Sequence, residues 1–143
     1  DFFVQEFLPY MEANYRIKTT RNNTAIAGLS MGGYGCTYHA FKRHEKFGSC
    51  YAMSAALATV AQLPDIRDVV NAKTPEELQN MPAYTMEVGS QDWLVLNGNV
   101  AFHTYLTGKG IEHNYITRPG THDWNFWMTC LPKAVDFFSN YFD

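Results

Sequence analysis

The stretch Thr24-Ala-Ile-Ala-Gly-Leu-Ser-Met-Gly-Gly-Tyr-Gly35 runs an apolar segment into a Gly-x-Ser-x-Gly turn, Gly28-Leu29-Ser30-Met31-Gly32, and then into an amphipathic segment over residues 34–45. That order predicts a strand, a sharp turn and a helix. A serine on a tight strand-to-helix turn holds a strained backbone conformation, and glycines at the flanking positions let neighbouring backbone pass without a Cβ clash. Ser30 Oγ is therefore expected to stand exposed at the carboxyl end of a sheet, as a nucleophile would. The bare pattern also fits an ordinary glycine-rich turn. Its place between a strand and a helix carries the functional reading.

Working outward, residues 24–29 are apolar on both faces, as in a strand buried within a parallel sheet, and residues 47–53 read the same way. With a crossover helix between them they form a right-handed strand-helix-strand unit. A third strand is expected over residues 83–88, ending at Gly89-Ser90-Gln91-Asp92, and a fourth over residues 112–117. Between these, Val95, Phe102 and Leu106 share one face of a helix that stops at Gly108 or Gly110. Upstream, Phe3, Phe7 and Met11, with Tyr10 beside them, mark a packing helix over residues 2–15, with Asp1 placed to cap it and Pro9 to bend or interrupt it. Residues 18–23 read as a loop.

The segment at about residues 58–82 turns polar, and Thr74-Pro75-Glu76-Glu77 is a capped helix start; one or two short helices are expected there, forming a short cap over the sheet's carboxyl end. In the last stretch Trp124, Trp127, Met128, Leu131, Val135, Phe138 and Phe142 fall three or four apart, a helical stripe read as core, with Pro132 as a kink. The fold class is therefore α/β, a mostly parallel sheet with flanking helices, and residues 1–143 form one unit.

Composition narrows the function. The 143 residues are 46% hydrophobic and 15% aromatic, enough for a substantial core. With net charge −3 and 17% charged residues there is no basic stripe of the kind a phosphate backbone requires, so nucleic acid is not an expected partner. No apolar run approaches the roughly 18 residues of a membrane span, and the start DFFVQEFLPY lacks the basic n-region and unbroken apolar core of a signal peptide. Cys36, Cys50 and Cys130 are odd in number and widely spaced, which argues against a disulfide framework and against a metal site. They read as reduced core thiols and lean towards a reducing, cytoplasmic setting, although the compartment is not legible. No cofactor is called for.

A serine hydroxyl is a weak nucleophile until a histidine removes its proton, and that histidine needs a carboxylate to hold its tautomer and stabilise its charge. In an open parallel sheet such groups belong in the loops at the carboxyl ends of strands. His122 qualifies, since it follows the fourth strand in a glycine-containing loop ahead of a helix. His39 and His44 fall on the crossover helix, His103 on the next helix and His113 at a strand start, where surface or packing roles are expected. Asp92 follows the third strand in the equivalent loop. Asp65, Asp68 and Asp136 lie in helical or covering segments, and Asp123 suits the cap of the last helix. Acyl transfer also needs donors for the oxyanion: one is the backbone N–H after the nucleophile, here Met31, and the other comes from a loop after an early strand that this chain does not contain. Trp93, Trp124 and Trp127 are close in sequence to the acid and the base. Trp124 and Trp127 read as packing, and Trp93 is a candidate for either core or a wall of the substrate pocket.

At GLSMGGYG (28–35), VGSQDW (88–93) and GTHDWNFW (120–127) the chain resembles the esterase D type of esterases. These are α/β-hydrolases that include tributyrin esterases, S-formylglutathione hydrolases and feruloyl or acetyl-xylan esterases; the HDWNFW segment is most similar to the tributyrin-esterase branch. The resemblance runs from about residue 2 to the end. It implies that Ser30 is the nucleophile, Asp92 the acid, His122 the base and Met31 an oxyanion donor, in the serine-acid-histidine order of that fold. It does not fix the ester. Complete members begin with several strands, and the loop with the other oxyanion donor, upstream of the helix that here starts at Phe2. The chain is thus expected to be the C-terminal half of a hydrolase. In the family's sheet order the strand leading to Ser30 lies between an early strand and the one over residues 47–53, so its outer edge would be open. The expectation is a cleaved or split polypeptide, or a second chain that covers this edge. The expected function is a serine carboxylesterase for short-chain acyl esters, including acetyl groups on carbohydrates, with ferulate or S-formylglutathione as alternative substrates and acyl transfer to a sugar as a further option. The reading from another class is a non-catalytic piece with an interaction or structural role.

Overall fold

The computed structural model describes residues 2–58 and 61–143. The apolar runs become four parallel strands, β1 (Ala25–Leu29), β2 (Ser49–Met53), β3 (Ala83–Gly89) and β4 (Asn114–Arg118), in the sheet order β1-β2-β3-β4. One level of the sheet runs Gly28, Ala52, Met86, Tyr115. Helices α2 (Met31–Lys42), α3 (Ile66–Asn71), α4 (Pro75–Gln79), α5 (Leu96–Gly108) and α6 (Trp124–Ser139) flank it. The result is an α/β fold of the kind the alternating pattern predicts.

Side-chain alternation divides the core in two. Cys50, Ala52, Tyr84 and Met86 point to the face covered by α2, α3 and α5, where they meet Phe41, Val70, Phe102 and Leu106. Tyr51 and Met53 point to the other face, against Phe126, Trp127, Cys130 and Ala134 of α6. All three cysteines are buried and free. β1 has one strand partner among the described residues, so its outer edge is open, and Ala27 at its middle is exposed.

Four local readings are revised. The crossover helix starts at Met31, directly after the serine, and ends at Lys42 rather than residue 45. Residues Phe3–Phe7 are wound as a π-helix, with Leu8 N–H reaching Phe3 O, before α1 (Leu8–Asn14) begins. Pro9 sits in the first turn of α1, where its missing donor is tolerated. The wider π turn puts Val4 inside and leaves Phe7 and Tyr10 exposed, so the four-residue spacing does not define the packed face; the proposed Asp1 cap lies outside the described residues.

Helices α3 and α4 occupy the segment read as a short cap. α3 packs against α2 through Ile66 and Val70, and α4 lies near the strand starts, where Arg21 holds Asn80 O. The chain must descend from the end of β2 to the start of β3, and these helices are its descent. The capping box at Thr74 and Glu77 forms as read. Finally, the stripe of α6 is wider than the sheet can cover. Trp127 is buried, whereas Trp124, Met128, Leu131 and Val135 form an exposed apolar face.

Between the sheet and α6 lies a charged node. Glu87, fully buried on β3, receives hydrogen bonds from Tyr51 OH, Arg118 Nε and, at 2.8 Å, Lys133 Nζ. Burial pushes its carboxyl up, but these hydrogen bonds and the Arg118 charge outweigh it and hold the group below its ordinary value of 4.5. The stabilisation is thus complete above that value and is lost as pH falls through the lower folded-state pKa. We expect the midpoint of thermal unfolding to fall as the pH drops below about 5, and Glu87→Gln to be less stable at neutral pH but shallower on this acid limb. An unchanged acid limb in the variant would assign the slope to other groups. The turn after β1 offers a second test: a Cβ on Gly28 would lie 2.1 Å from Gly32 O, a backbone atom. Gly28→Ala should therefore cost about 2 kcal/mol or more in urea unfolding, and a loss under about 0.5 kcal/mol would show that the turn relaxes freely.

Candidate active site

Ser30 is the residue between β1 and α2, and its backbone takes φ 53°, ψ −117°. A non-glycine residue held there stores about 1–3 kcal/mol, so its surroundings must fix it. They do so through the main chain. Ser30 N–H donates to Met53 O at 2.9 Å, and Ser30 O accepts from Ala56 N–H at 3.0 Å and Tyr34 N–H at 3.2 Å. The segment after β2 that supplies Ala56 is itself held, because the buried Asn99 side chain on α5 donates to Ala55 O at 2.7 Å.

The hydroxyl so presented meets His122. Ser30 Oγ lies 2.9 Å from His122 Nε2, and His122 Nδ1 lies 2.7 Å from Asp92 Oδ2. A carboxylate can only accept, which assigns the proton to Nδ1 and leaves Nε2 to accept from the serine hydroxyl. Asp92 is buried, and its other oxygen accepts from Val95 N–H at 3.3 Å. His122 keeps a partly open edge, with a side-chain exposure of 19%. The Trp127 ring stands perpendicular to the imidazole at 4.9 Å, so this tryptophan packs in the core and walls the histidine at once.

Met31 opens α2, so its backbone N–H is among those a helix start leaves without an intrahelical acceptor. Trp93 is 81% exposed and stands outside the core. Trp124, read as packing, is 63% exposed and stacks edge-on against Trp127. Asp123 caps α6 by accepting from Phe126 N–H at 3.1 Å. The other histidines serve elsewhere: His39 packs against Phe3, His44 meets Lys73, and His103 pairs with His113. Among the described residues no group of three or more His, Cys, Asp or Glu side chains is placed to hold a metal ion.

Three residues near the site carry weight that sequence reading missed. Gln91 brackets Gly120: its N–H donates to Gly120 O at 3.0 Å, and its side-chain oxygen accepts from Gly120 N–H at 2.8 Å. The loops that carry Asp92 and His122 are thereby stitched together, with Gly89 close enough that a Cβ there would strike Gly120 O at 2.2 Å. Glu87 and Arg118 anchor the strands just beneath. The available signal was a glutamate inside the buried run Tyr84-Thr-Met-Glu-Val88, which demands a cation from elsewhere in the chain.

Comparison with known proteins bears on the fold and the family. The chain is 28% identical to an acetyl esterase of Caldicellulosiruptor saccharolyticus, over all of its own length and 64% of that protein's. A ferulic acid esterase structure superposes with a TM-score of 0.88 at 28% identity, covering 99% of this chain and 61% of that one. An S-formylglutathione hydrolase from Staphylococcus aureus shares the fold, with a TM-score of 0.81 at 22% identity, covering 95% of this chain and 59% of that one. The chain therefore spans under two thirds of the length of these relatives. The family model described as "Putative esterase" matches residues 1–138, and the chain belongs to that esterase family of α/β-hydrolase fold.

Proposed function

We propose that the chain carries the nucleophile, base and acid of a serine carboxylesterase acting on short-chain acyl esters, acetyl groups on carbohydrates among them. The observation that supports this most is the continuous relay from Ser30 Oγ through His122 to Asp92, with contacts of 2.9 Å and 2.7 Å, on a serine whose backbone is held at positive φ. Ser30 Oγ attacks the ester carbonyl as His122 Nε2 takes its proton. The negative charge that develops on the carbonyl oxygen is met by Met31 N–H. His122 returns the proton to the leaving alcohol, which leaves an acyl group on Ser30, and water activated by the same histidine releases the acid. Asp92 holds the imidazole with Nδ1 protonated and stabilises its positive charge.

The likeness to an acetyl esterase favours a small acyl group. A feruloyl ester is the second reading, supported by the likeness to a ferulic acid esterase and by the exposed indoles of Trp93 and Trp124 near the acid and base in sequence. In the working protein, further polypeptide covers the open edge of β1 and the exposed face of α6 and supplies the second oxyanion donor; a non-catalytic role is the reading this competes with.

In the protein at its natural length, Ser30→Ala should abolish ester hydrolysis and fluorophosphonate labelling, and Asp92→Asn should lower kcat by about 10⁴-fold. Wild-type turnover that survives Ser30→Ala would refute the reading. Comparing kcat/KM on acetate, butyrate, ferulate and S-formylglutathione esters ranks the substrates, and a ferulate preference above about tenfold would favour the second reading.

A further inference from the structure

The loop over residues 119–123 joins β4 to α6 and carries His122. Both of its ends are gripped by a single side chain. Arg118, the last residue of β4, extends its guanidinium across the loop to the first turns of α6, where Nη2 donates to Phe126 O at 3.2 Å and to Thr129 Oγ1 at 2.6 Å. The planar group lies 3.9 Å over the Phe126 ring. Its Nε is taken by Glu87 Oε1, on a carboxylate without solvent exposure. A rigid fork uses two edges at once, which a lysine ammonium cannot reproduce. The middle of the loop is held by Gln91, whose next neighbour is Asp92.

A buried ion pair is a weak source of stability, because desolvation offsets much of its Coulomb gain, and well-packed apolar residues commonly do as well. What this pair does supply is a fixed geometry at the root of the loop that presents the imidazole. Lys133 also reaches Glu87, at 2.8 Å, but it comes from the middle of α6, and its hydrogen bond among the described residues goes to Glu87 rather than to the loop. The charge balance of Glu87 and the grip on the loop can therefore be separated.

We infer that Arg118, locked onto Glu87, is a positioning residue for His122: it ties the end of β4 to the start of α6 and so sets the imidazole between Ser30 and Asp92. This rests on the reading of Ser30, His122 and Asp92 as the catalytic groups. Arg118 touches neither substrate nor reacting atoms, and it acts through the loop alone.

The test compares Arg118→Met, Arg118→Lys and Lys133→Met in the protein at its natural length. Activity on an acetyl ester is measured together with the far-downfield proton NMR resonance of the His122 N–H held by Asp92. Arg118→Met should lower kcat by about 10- to 100-fold while KM moves less than about threefold, and the resonance should broaden or vanish. Arg118→Lys keeps a cation beside Glu87, and hence the fold, but loses the fork; it should lose kcat by at least about tenfold with a thermal midpoint near wild type. Lys133→Met should keep both activity and resonance, within about threefold of wild-type kcat. Arg118 variants that keep kcat and the resonance would overturn the inference. So would a Lys133→Met loss equal to that of Arg118→Met, which would make the node a general stabiliser. If the wild type lacks the resonance and Ser30→Ala stays active, the triad reading itself fails, and that outcome is distinct from both.

Discussion

The backbone of Ser30 is the constraint on which the rest depends. Holding a serine at φ 53° requires that the chain leave β1 and enter α2 without an intervening loop, so the helix begins at Met31. It also requires that neighbouring backbone come close, which the missing Cβ of Gly28 permits. The three main-chain hydrogen bonds on Ser30 come from the end of β2, the segment after it and the first turn of α2, so the strain is distributed over three pieces of the fold. A parallel sheet suits this. Each strand delivers its following loop to the same end, so residues far apart in sequence arrive together without a long structureless connection.

The two faces of the sheet solve different problems. On one, α2, α3 and α5 bury an ordinary aromatic and aliphatic core. On the other, a single helix is responsible, and its contact with the sheet combines a small apolar cluster with the ionic node at Glu87. The apolar cluster supplies most of the cohesion, since hydrophobic burial is not offset by the loss of hydration that a buried charge suffers. The node supplies direction. It fixes how α6 is joined to β3 and β4, and the histidine lies in the join.

Much of this was legible in the sequence, for physical reasons that can be named. Four apolar runs separated by helical periodicity define a parallel α/β sheet, and the carboxyl-end rule then singles out Ser30, Asp92 and His122, which the fold brings into one chain of hydrogen bonds. The first turn of α2 was hidden because Gly32, Gly33 and Gly35 carry poor helix propensity, while the turn geometry needs small residues there. The two-sided character of α6 was hidden because its apolar residues cover most of the helix, and periodicity cannot say which side meets the sheet. Gln91, Glu87 and Arg118 were missed because their partners lie some thirty residues away in sequence, in contacts created only by strand register. The exposed face of α6 and the open edge of β1 belong to the same class, since the relatives' length, not the residues themselves, bears on what covers them.

The proposed esterase chemistry turns on a covalent bond at one hydroxyl, and trapping that bond tests it most directly. Rapid acid quench of the protein turning over an activated acetyl ester, followed by peptide mass spectrometry, should find one acetyl group per chain on Ser30, formed in a burst before steady state. Turnover with no acyl group on Ser30, or an acyl group on another residue, would contradict it.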